Sequence, residues 1–185
     1  MLNPYTLTID GTDRTLCVVA RSIIITDSSE AEPSTMEFKM TIRDGGSLPQ
    51  GDDEVIVTMG SERLFAGRIL SLSPQRPKVG IVTWEIKCVD YNRDLDRNLV
   101  VESYEDMTDR EIISDIIDNY APDFTITNVV EGISISQLVF NYVTPSQCFD
   151  EICELTGRTW YCDYNKDIHY LLPTANTAPF NISEV

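Results

Sequence analysis

The first part of the chain alternates between apolar and polar positions with a period of two, which is typical of half-buried β-strands. The clearest example is 36–42, where Met36, Phe38 and Met40 are separated by polar side chains. Similar extended runs occupy six further segments, at 5–9, 14–20, 22–26, 54–59, 63–70 and 81–89. Many short strands at this spacing predict a small antiparallel β-barrel or a sandwich, and we expect the barrel because closure would hide the sheet edges.

Turn-forming residues punctuate these runs. Asp10-Gly11-Thr12-Asp13 and Gly60-Ser61 are typical reversals, and 49–53 is rich in Pro, Gly and Asp. The sequence also predicts a loop at 74–80, between Pro74 and Gly80. We therefore assign residues 1–100 to the barrel domain.

The hydrophobic period then changes to that of a helix. Thr108 and Glu111 form the pattern of a capping box, in which each side chain satisfies a backbone donor at a helix start. Isoleucines follow on one face as far as Tyr120, and Ala121-Pro122 ends the segment. The pattern predicts an amphipathic helix.

A second helix follows the same rules. Thr144 is placed as N-cap, Pro145 is at the first helical position, and Gly157 is the C-terminal stop. Segments 159–162 and 168–172 then predict a β-hairpin around the turn 163–167. The fold class is thus mixed α+β, a barrel followed by an α/β insertion-type module at 101–173 with two short helices and a hairpin. Residues 174–185 are expected to begin a further segment.

Composition and charge exclude some classes of function. Apolar residues make up 42% of the 185 residues, as in ordinary folded proteins. Thirty acidic and 14 basic side chains give a formal net charge of -16, and no cluster of cations exists that could neutralise phosphates. No apolar run approaches the ~20 residues that span a bilayer, and no leader pattern is present. We predict a protein made in the cytoplasm, with neither nucleic-acid binding nor membrane insertion.

No residue constellation predicts catalysis. His169 is the sole histidine and alternates with Ile168 and Tyr170 in a hairpin strand, where a surface or cross-strand role is expected. Carboxylates could pair as in glycosidases, but Asp52-Asp53-Glu54, Asp94 and Asp96 have the pattern of a solvated acidic surface. We predict a protein that is not an enzyme, with no catalytic and no cofactor-binding residues.

The cysteines raise the question of a metal site. An odd number of them is spread through apolar stretches, which predicts reduced, mostly buried thiols: Cys17, Cys88, Cys148, Cys153 and Cys162. Three of these with His169 could form a Cys₃His zinc site, but their spacing contains no CxxC-like knuckle. We predict neither a metal nor a cofactor.

Aromatic residues near the hairpin allow two interpretations. Trp160, Tyr161, Tyr164 and Tyr170 could form a platform for a sugar or a protein. Strand alternation places Trp160 and Tyr161 on opposite faces, so at least one set is expected in the core.

The order of several motifs resembles the phage tail hub, or baseplate hub, family. An aromatic strand, a short helix, a Gly stop, a Trp-Tyr-x-Asp strand and a return strand follow one another, preceded by an Asp-Tyr and Leu-Asp-Arg element and a Phe-Ala-Gly-Arg-Ile strand. The aromatic strand is at 140–146, the helix at 149–152, the Gly stop with the Trp-Tyr-x-Asp strand at 156–163, and the return strand at 168–170. The Asp-Tyr and Leu-Asp-Arg element is at 88–97, and the Phe-Ala-Gly-Arg-Ile strand is at 65–69. The family is related to the spike base of type VI secretion and to phage late control D-like proteins.

The resemblance implies an architectural function. It suggests a prophage or virion structural protein that forms a homotrimer when full length and joins the tail tube or distal tail protein to a central spike or fibre. The acidity suggests a channel wall past which genomic DNA moves without specific binding. The alternative is a module that binds a host-surface carbohydrate or protein.

Overall fold

A computed structural model describes residues 4–27, 33–42, 47–78, 81–130 and 132–173. The strands are β1 (Thr6–Ile9), β2 (Thr12–Asp13), β3 (Ile24–Thr26), β4 (Thr35–Ile42), β5 (Glu54–Met59), β6 (Glu62–Lys78), β7 (Ile81–Asp90), β8 (Val100–Thr108), β9 (Thr125–Val129), β10 (Ser134–Val143), β11 (Thr159–Cys162) and β12 (Asp167–Leu171). The helices are α1 (Asn92–Leu95), α2 (Asp109–Tyr120) and α3 (Pro145–Thr156), with a 3-10 helix at Thr15–Cys17. The chain divides into two compact units, Met1–Asp94 and Leu95–Val185.

The first unit is a seven-stranded antiparallel sheet in the order β2-β1-β5-β6-β7-β4-β3. Its core comes from the alternation visible in the sequence: Met36, Phe38 and Met40 of β4 are at most 1% exposed. The predicted strand at 54–59 is confirmed as β5, and that at 81–89 corresponds to β7. Period-two burial is thus sufficient to locate most strands of this unit.

The barrel is not confirmed. The outer strands β2 and β3 are only two and three residues long, and among the described residues each pairs with one neighbour. No ladder joins these two strands there, so the described sheet is open. The mixed α+β class is confirmed, with three helices where two were predicted, because α1 adds a single turn after β7.

The strand predicted at 14–20 is wrong. Thr15–Cys17 form a 3-10 helix, and Val18 makes only an isolated bridge to Met40. The Thr15 hydroxyl accepts the Leu7 amide at 2.9 Å, and the Thr15 amide donates to the Asp13 carboxylate at 2.8 Å. Such local side-chain bonds compete with a strand ladder.

The loop predicted at 74–80 is also wrong as far as Lys78, since β6 continues through Pro74 to that residue. Pro74 lies opposite Trp84 of β7, and Lys78 lies opposite Ile81. Beyond Ile69, β7 is the neighbour of β6 among the described strands, and proline is tolerated in such an edge position. Residues 79 and 80 lie outside the described part.

The second unit packs α2 and α3 against two small sheets. β8 and β10 form an antiparallel pair, while β12 lies between β11, which is antiparallel to it, and β9, which is parallel. The isoleucines of α2 are at most 2% exposed, and Phe149 and Ile152 of α3 are fully buried. The predicted hairpin is confirmed as β11–β12.

Both predicted helix starts are confirmed. Thr108 accepts the Glu111 amide while Glu111 accepts the Thr108 amide, and Thr144 and Gln147 form the same box. Gly157 ends α3 in a left-handed conformation, with φ of 68°. No described helix is long and apolar enough to cross a membrane. The segment predicted at 174–185 lies outside the described residues.

Candidate interaction surfaces

His169 is held between an aromatic ring and a turn. Its ring stacks on that of Tyr161 at 4.4 Å between centroids, and Nδ1 is 3.0 Å from the Tyr161 hydroxyl. Nε2 is 3.4 Å from the Asp163 carboxylate. Tyr161 and His169 are direct partners across β11 and β12, so the predicted cross-strand role is confirmed.

Asp163 organises the turn of the hairpin. Its Oδ1 accepts the backbone N–H groups of Asn165 and Asp167, at 2.7 and 2.9 Å. Partial burial alone would raise the pKa of Asp163, but these donors outweigh burial and hold it below its ordinary value. The carboxylate next to His169 is therefore already engaged in fixing the turn.

Asp167 ties the parallel strand to the hairpin. Its carboxylate accepts the Thr125 hydroxyl, the Thr127 amide at 2.8 Å and the Asn128 side-chain amide at 2.7 Å. Burial alone would raise the pKa of Asp167, yet these bonds lower it overall. Three donors on one carboxylate explain how β9 is held parallel to β12.

An open depression of about 410 Å³ lies on this sheet. Planar rings, an amide, a hydroxyl and aliphatic side chains line it: Thr127, Asn128, Val129, Val130, Tyr161, His169 and Leu171. Mixed aromatic and hydrogen-bonding groups of this kind suit a sugar ring or a short peptide.

The zinc hypothesis gains no geometric support. Cys148 is fully buried on α3, Cys153 is half-buried, and burial raises the pKa of both thiols to about 12. Protonated thiols are poor metal ligands. Within the described residues, no group of three or more His, Cys, Asp or Glu side chains is arranged to hold a metal ion. None of the five cysteines forms a disulfide, and two of them are buried.

The acidic loop at 52–54 has structural contacts. Asp52 lies in a turn with φ of 76°, and the Asp53 carboxylate accepts the Gln50 amide at 2.8 Å. Glu54 accepts the hydroxyl of Tyr91 at 2.7 Å. These bonds hold the turn that leads into β5.

Asp94 and Asp96 also have separate partners. Asp94 accepts the Arg68 guanidinium at 2.8 Å, whereas Asp96 accepts both the amide and the hydroxyl of Ser146 at the start of α3. Each carboxylate therefore has a local structural role.

The aromatic set divides between core and surface, as strand alternation predicts. Trp160 is 8% exposed, meets Phe149 edge-on at 5.2 Å, and donates its indole N–H to Asp150 at 2.7 Å. Tyr170 is fully buried, while Tyr161 is 43% exposed. Of this set, Tyr161 is the ring that borders the depression.

A buried polar network was not found by sequence reasoning. Asp109 is fully buried and accepts the hydroxyl of Tyr170 at 2.8 Å. That hydroxyl also meets Thr156 at 2.7 Å, and the Arg158 guanidinium lies 3.8 Å from the carboxylate and 5.2 Å from the Tyr170 ring centre. The network joins α2, α3 and β12. Sequence reasoning missed it because Asp109 lies in the first turn of a helix, where acidic side chains are usually exposed to solvent.

The negative charge is unevenly divided. Residues 1–94 have 14 acidic and ten basic side chains, whereas residues 95–185 have 16 acidic and four basic, so the net charges of -4 and -12 account for the total of -16. Several cations of the second unit are also used internally. Arg110 donates to the carbonyl of Val129, Arg158 adjoins Asp109, and Lys166 lies 5.7 Å from the Phe124 ring centre.

The described residues leave one face of the β8–β10 pair exposed, and we call it the ribbon face. Directly paired residues Val101 and Asn141, Ser103 and Val139, and Glu105 and Gln137 form it, and all six are exposed. Val139 is 56% exposed and Val101 46%, and Glu105 is the single charge among the six. Tyr142, next to this face in a bulge with φ of 55°, is 70% exposed.

A contrasting surface lies in the first unit at 14–26, which we call the basic strip. It contains Arg14 and Arg21 and no acidic residue. Leu16 is 95% exposed, Ile24 62% and Val19 37%. The strip follows one edge of β4, through the Val18 bridge and β3.

No family model and no curated protein matches the sequence. Solved structures do match. A 43 kDa tail protein of prophage MuSo2 from Shewanella oneidensis aligns with a TM-score of 0.76 at 16% identity, over 94% of this chain and 56% of that one. This chain has the fold of phage tail proteins.

Two further tail-related structures agree. The prophage tail protein gp18 from Listeria monocytogenes has a TM-score of 0.70 at 12% identity, over 95% of this chain and 52% of the other. The E. coli type VI secretion component c3393 has a TM-score of 0.59 at 14% identity, over 89% and 47%. The chain spans about half the length of each of these three structures. The family resemblance inferred from sequence is thereby confirmed at the level of the fold.

The segments that carried the resemblance have structural roles in this tail-protein fold. Asp90, in the Asp-Tyr element, is 7% exposed and accepts the Ser34 amide at 2.7 Å. Phe140 packs edge-on against Tyr104 at 6.1 Å. Asp90 and Phe140 thus meet turn and core requirements of the fold.

Proposed function

We propose that this chain is a structural component of a phage or phage-like tail tip, a hub or baseplate adaptor between the tail tube and a distal spike or fibre. The likeness of the fold to the MuSo2 tail protein over 94% of the chain is the observation that carries the proposal. The protein works by symmetric assembly, as a homotrimer when full length, and has no enzymatic step.

The side chains support an architectural role. The candidate acids, the histidine and the indole described above are bonded into turns, helix starts and strand pairs. Exposed large apolar side chains lie both in strands, as at Val101 and Val139, and between them, as at Leu16 and Leu99, and contiguous patches of such side chains mark surfaces that become interfaces. In the assembled tip the acidic excess would face the passing DNA and repel its phosphates.

The location is tested in a bacterium that contains the gene. Particles purified after prophage induction are labelled with gold-coupled antibodies against this chain and viewed by electron microscopy. Label confined to the tail tip is expected, and deletion of the gene should give particles without a completed tip. Intact, infectious particles that lack the chain would overturn the proposal.

The depression beside Tyr161 favours a second candidate function, the binding of a host-surface glycan. A glycan array probed with the chain and with Tyr161→Ala separates the two functions, because Tyr161 is exposed and its truncation leaves the core intact. Trp160→Ala is unsuitable, since it removes a core side chain. Loss of glycan binding in Tyr161→Ala supports the binding module, and absence of binding by the original chain excludes it for the glycans tested.

A further inference from the structure

The ribbon face has the composition of an interface core. Charged residues are depleted at the centre of protein interfaces, and apolar and aromatic residues are enriched there. The ribbon face has a single charge, Glu105, on a unit whose net charge is -12. Val101 and Val139 lie on it, and Tyr142 projects beside it.

The backbone conformation of Tyr142 also supports an interface at the ribbon face. A left-handed conformation is unfavourable for a bulky residue and persists where the surroundings impose it. Here the bulge between Asn141 and Val143 turns Tyr142 outward, leaving its side chain 70% exposed. The strained backbone at Tyr142 thus exposes the aromatic ring instead of burying it.

Charge decides what can cover this face. Two ribbon faces placed together would bring two units of net charge -12 into contact, and like charges across an interface are unfavourable. The basic strip has the opposite character, with Arg14 and Arg21, no acidic residue between 14 and 26, and Leu16 and Ile24 exposed. Lys39, whose carbonyl accepts the Val19 amide, adds an exposed cation beside it.

We propose that the ribbon face of one copy docks on the basic strip of a second copy of this chain. The contact is head-to-tail, because the two surfaces differ, and such contacts close into rings or extend as filaments. The inference rests on the proposed function, in that a symmetric tip requires self-association, but it names surfaces that the proposed function leaves open.

The experiment uses the complete chain and two exposed substitutions. Val139→Glu places a charge on the ribbon face, and Leu16→Glu places one on the basic strip. Leu155→Glu and Met59→Glu are matched controls, since these side chains are 60% and 48% exposed and lie outside both surfaces. Circular dichroism verifies that all four variants fold, and sedimentation velocity over a wide concentration range measures association.

The original chain should associate at low salt, and added salt should weaken that association because the attraction is between opposite charges. Each of the two test variants alone should associate at least about tenfold more weakly, as for loss of a central interface side chain, and the controls should match the original. An equimolar mixture of the two test variants should form 1:1 dimers and nothing larger, since one intact ribbon face and one intact basic strip remain.

A chain that stays monomeric at every concentration overturns the inference, as does a test variant that associates like the original. Association lost in Val139→Glu but unchanged in Leu16→Glu would identify a ribbon-to-ribbon contact instead. Gold labelling of the tail tip combined with any of these results rejects the docking surfaces and leaves the proposed function standing. Self-association through both surfaces without tip labelling rejects the function and leaves the surfaces standing.

Discussion

The hydroxyl of Tyr170 donates a 2.8 Å hydrogen bond to the fully buried carboxylate of Asp109, 61 residues earlier in the chain. The bond connects β12 to the first turn of α2. The side chain of Arg158, which is 10% exposed, lies beside the same carboxylate. A buried charge with these partners stabilises one arrangement of the unit, because any other arrangement leaves it without them.

Asp109→Ala is expected to lower the free energy of unfolding by about 3 kcal/mol, because it leaves Arg158 in the interior without its carboxylate. Urea denaturation followed by circular dichroism measures the change. Tyr170→Phe should cost about 1 kcal/mol, as for loss of one hydrogen bond. The double variant should cost less than the two single changes together. Strict additivity would show that the two groups do not interact in solution.

Gly67→Ala should destabilise the first unit by about 1 to 3 kcal/mol, since a Cβ there would overlap the Val89 carbonyl and the backbone of Asp90. Gly51→Ala is the control, because a Cβ at that position meets nothing within 4 Å. The control should be neutral or slightly stabilising through the lower entropy of its unfolded chain. Equal thermal midpoints for the two variants would contradict the close approach of β6 and β7.

Thr144→Ala should cost about 1 kcal/mol, because the first turn of α3 loses the hydroxyl that accepts the Gln147 amide. Glu154→Ala, an exposed change on the same helix, is expected to stay within about 0.5 kcal/mol of the original. Chemical denaturation of both variants under identical conditions compares them. A Thr144→Ala variant as stable as the control would rule out the capping box in solution.

The stability of the chain should fall in acid through Asp163 and Asp167. Both have a pKa that is lower in the folded than in the unfolded chain, so their contribution is complete above the unfolded value and disappears as the pH falls through the folded one. The decline should therefore begin as the pH falls below about 4. Asp167→Asn should reduce this slope and lower stability at neutral pH. An unchanged slope in that variant would refute the contribution of Asp167.

The sequence predicts features that depend on neighbours along the chain. The capping boxes at Thr108 and Thr144 and the Gly157 stop involve residues within a few positions, so their chemistry is visible in the printed order. The alternation of β4 is equally local. These signals locate helices and strands without information on how the elements pack.

Long-range choices are not visible in the same way. The parallel pairing of β9 with β12 depends on three donors that meet Asp167 from about forty residues away, as in the Asn128 bond. The 14–20 segment has the composition of a strand. The hydrogen bond between Thr15 and Leu7 nevertheless holds Thr15 outside the strand ladder. The ribbon face could not be predicted because β8 was not recognised as the partner of β10.

Pro74 has a further consequence for the edge of the sheet in the first unit. A long unpaired strand edge is a template for indiscriminate sheet growth. Among the described strands, β6 extends past the end of β5 with no further neighbour on that side, but proline has no amide hydrogen and interrupts the row of donors. Pro74, the residue at which the loop prediction failed, is therefore a position where an added strand finds no amide donor.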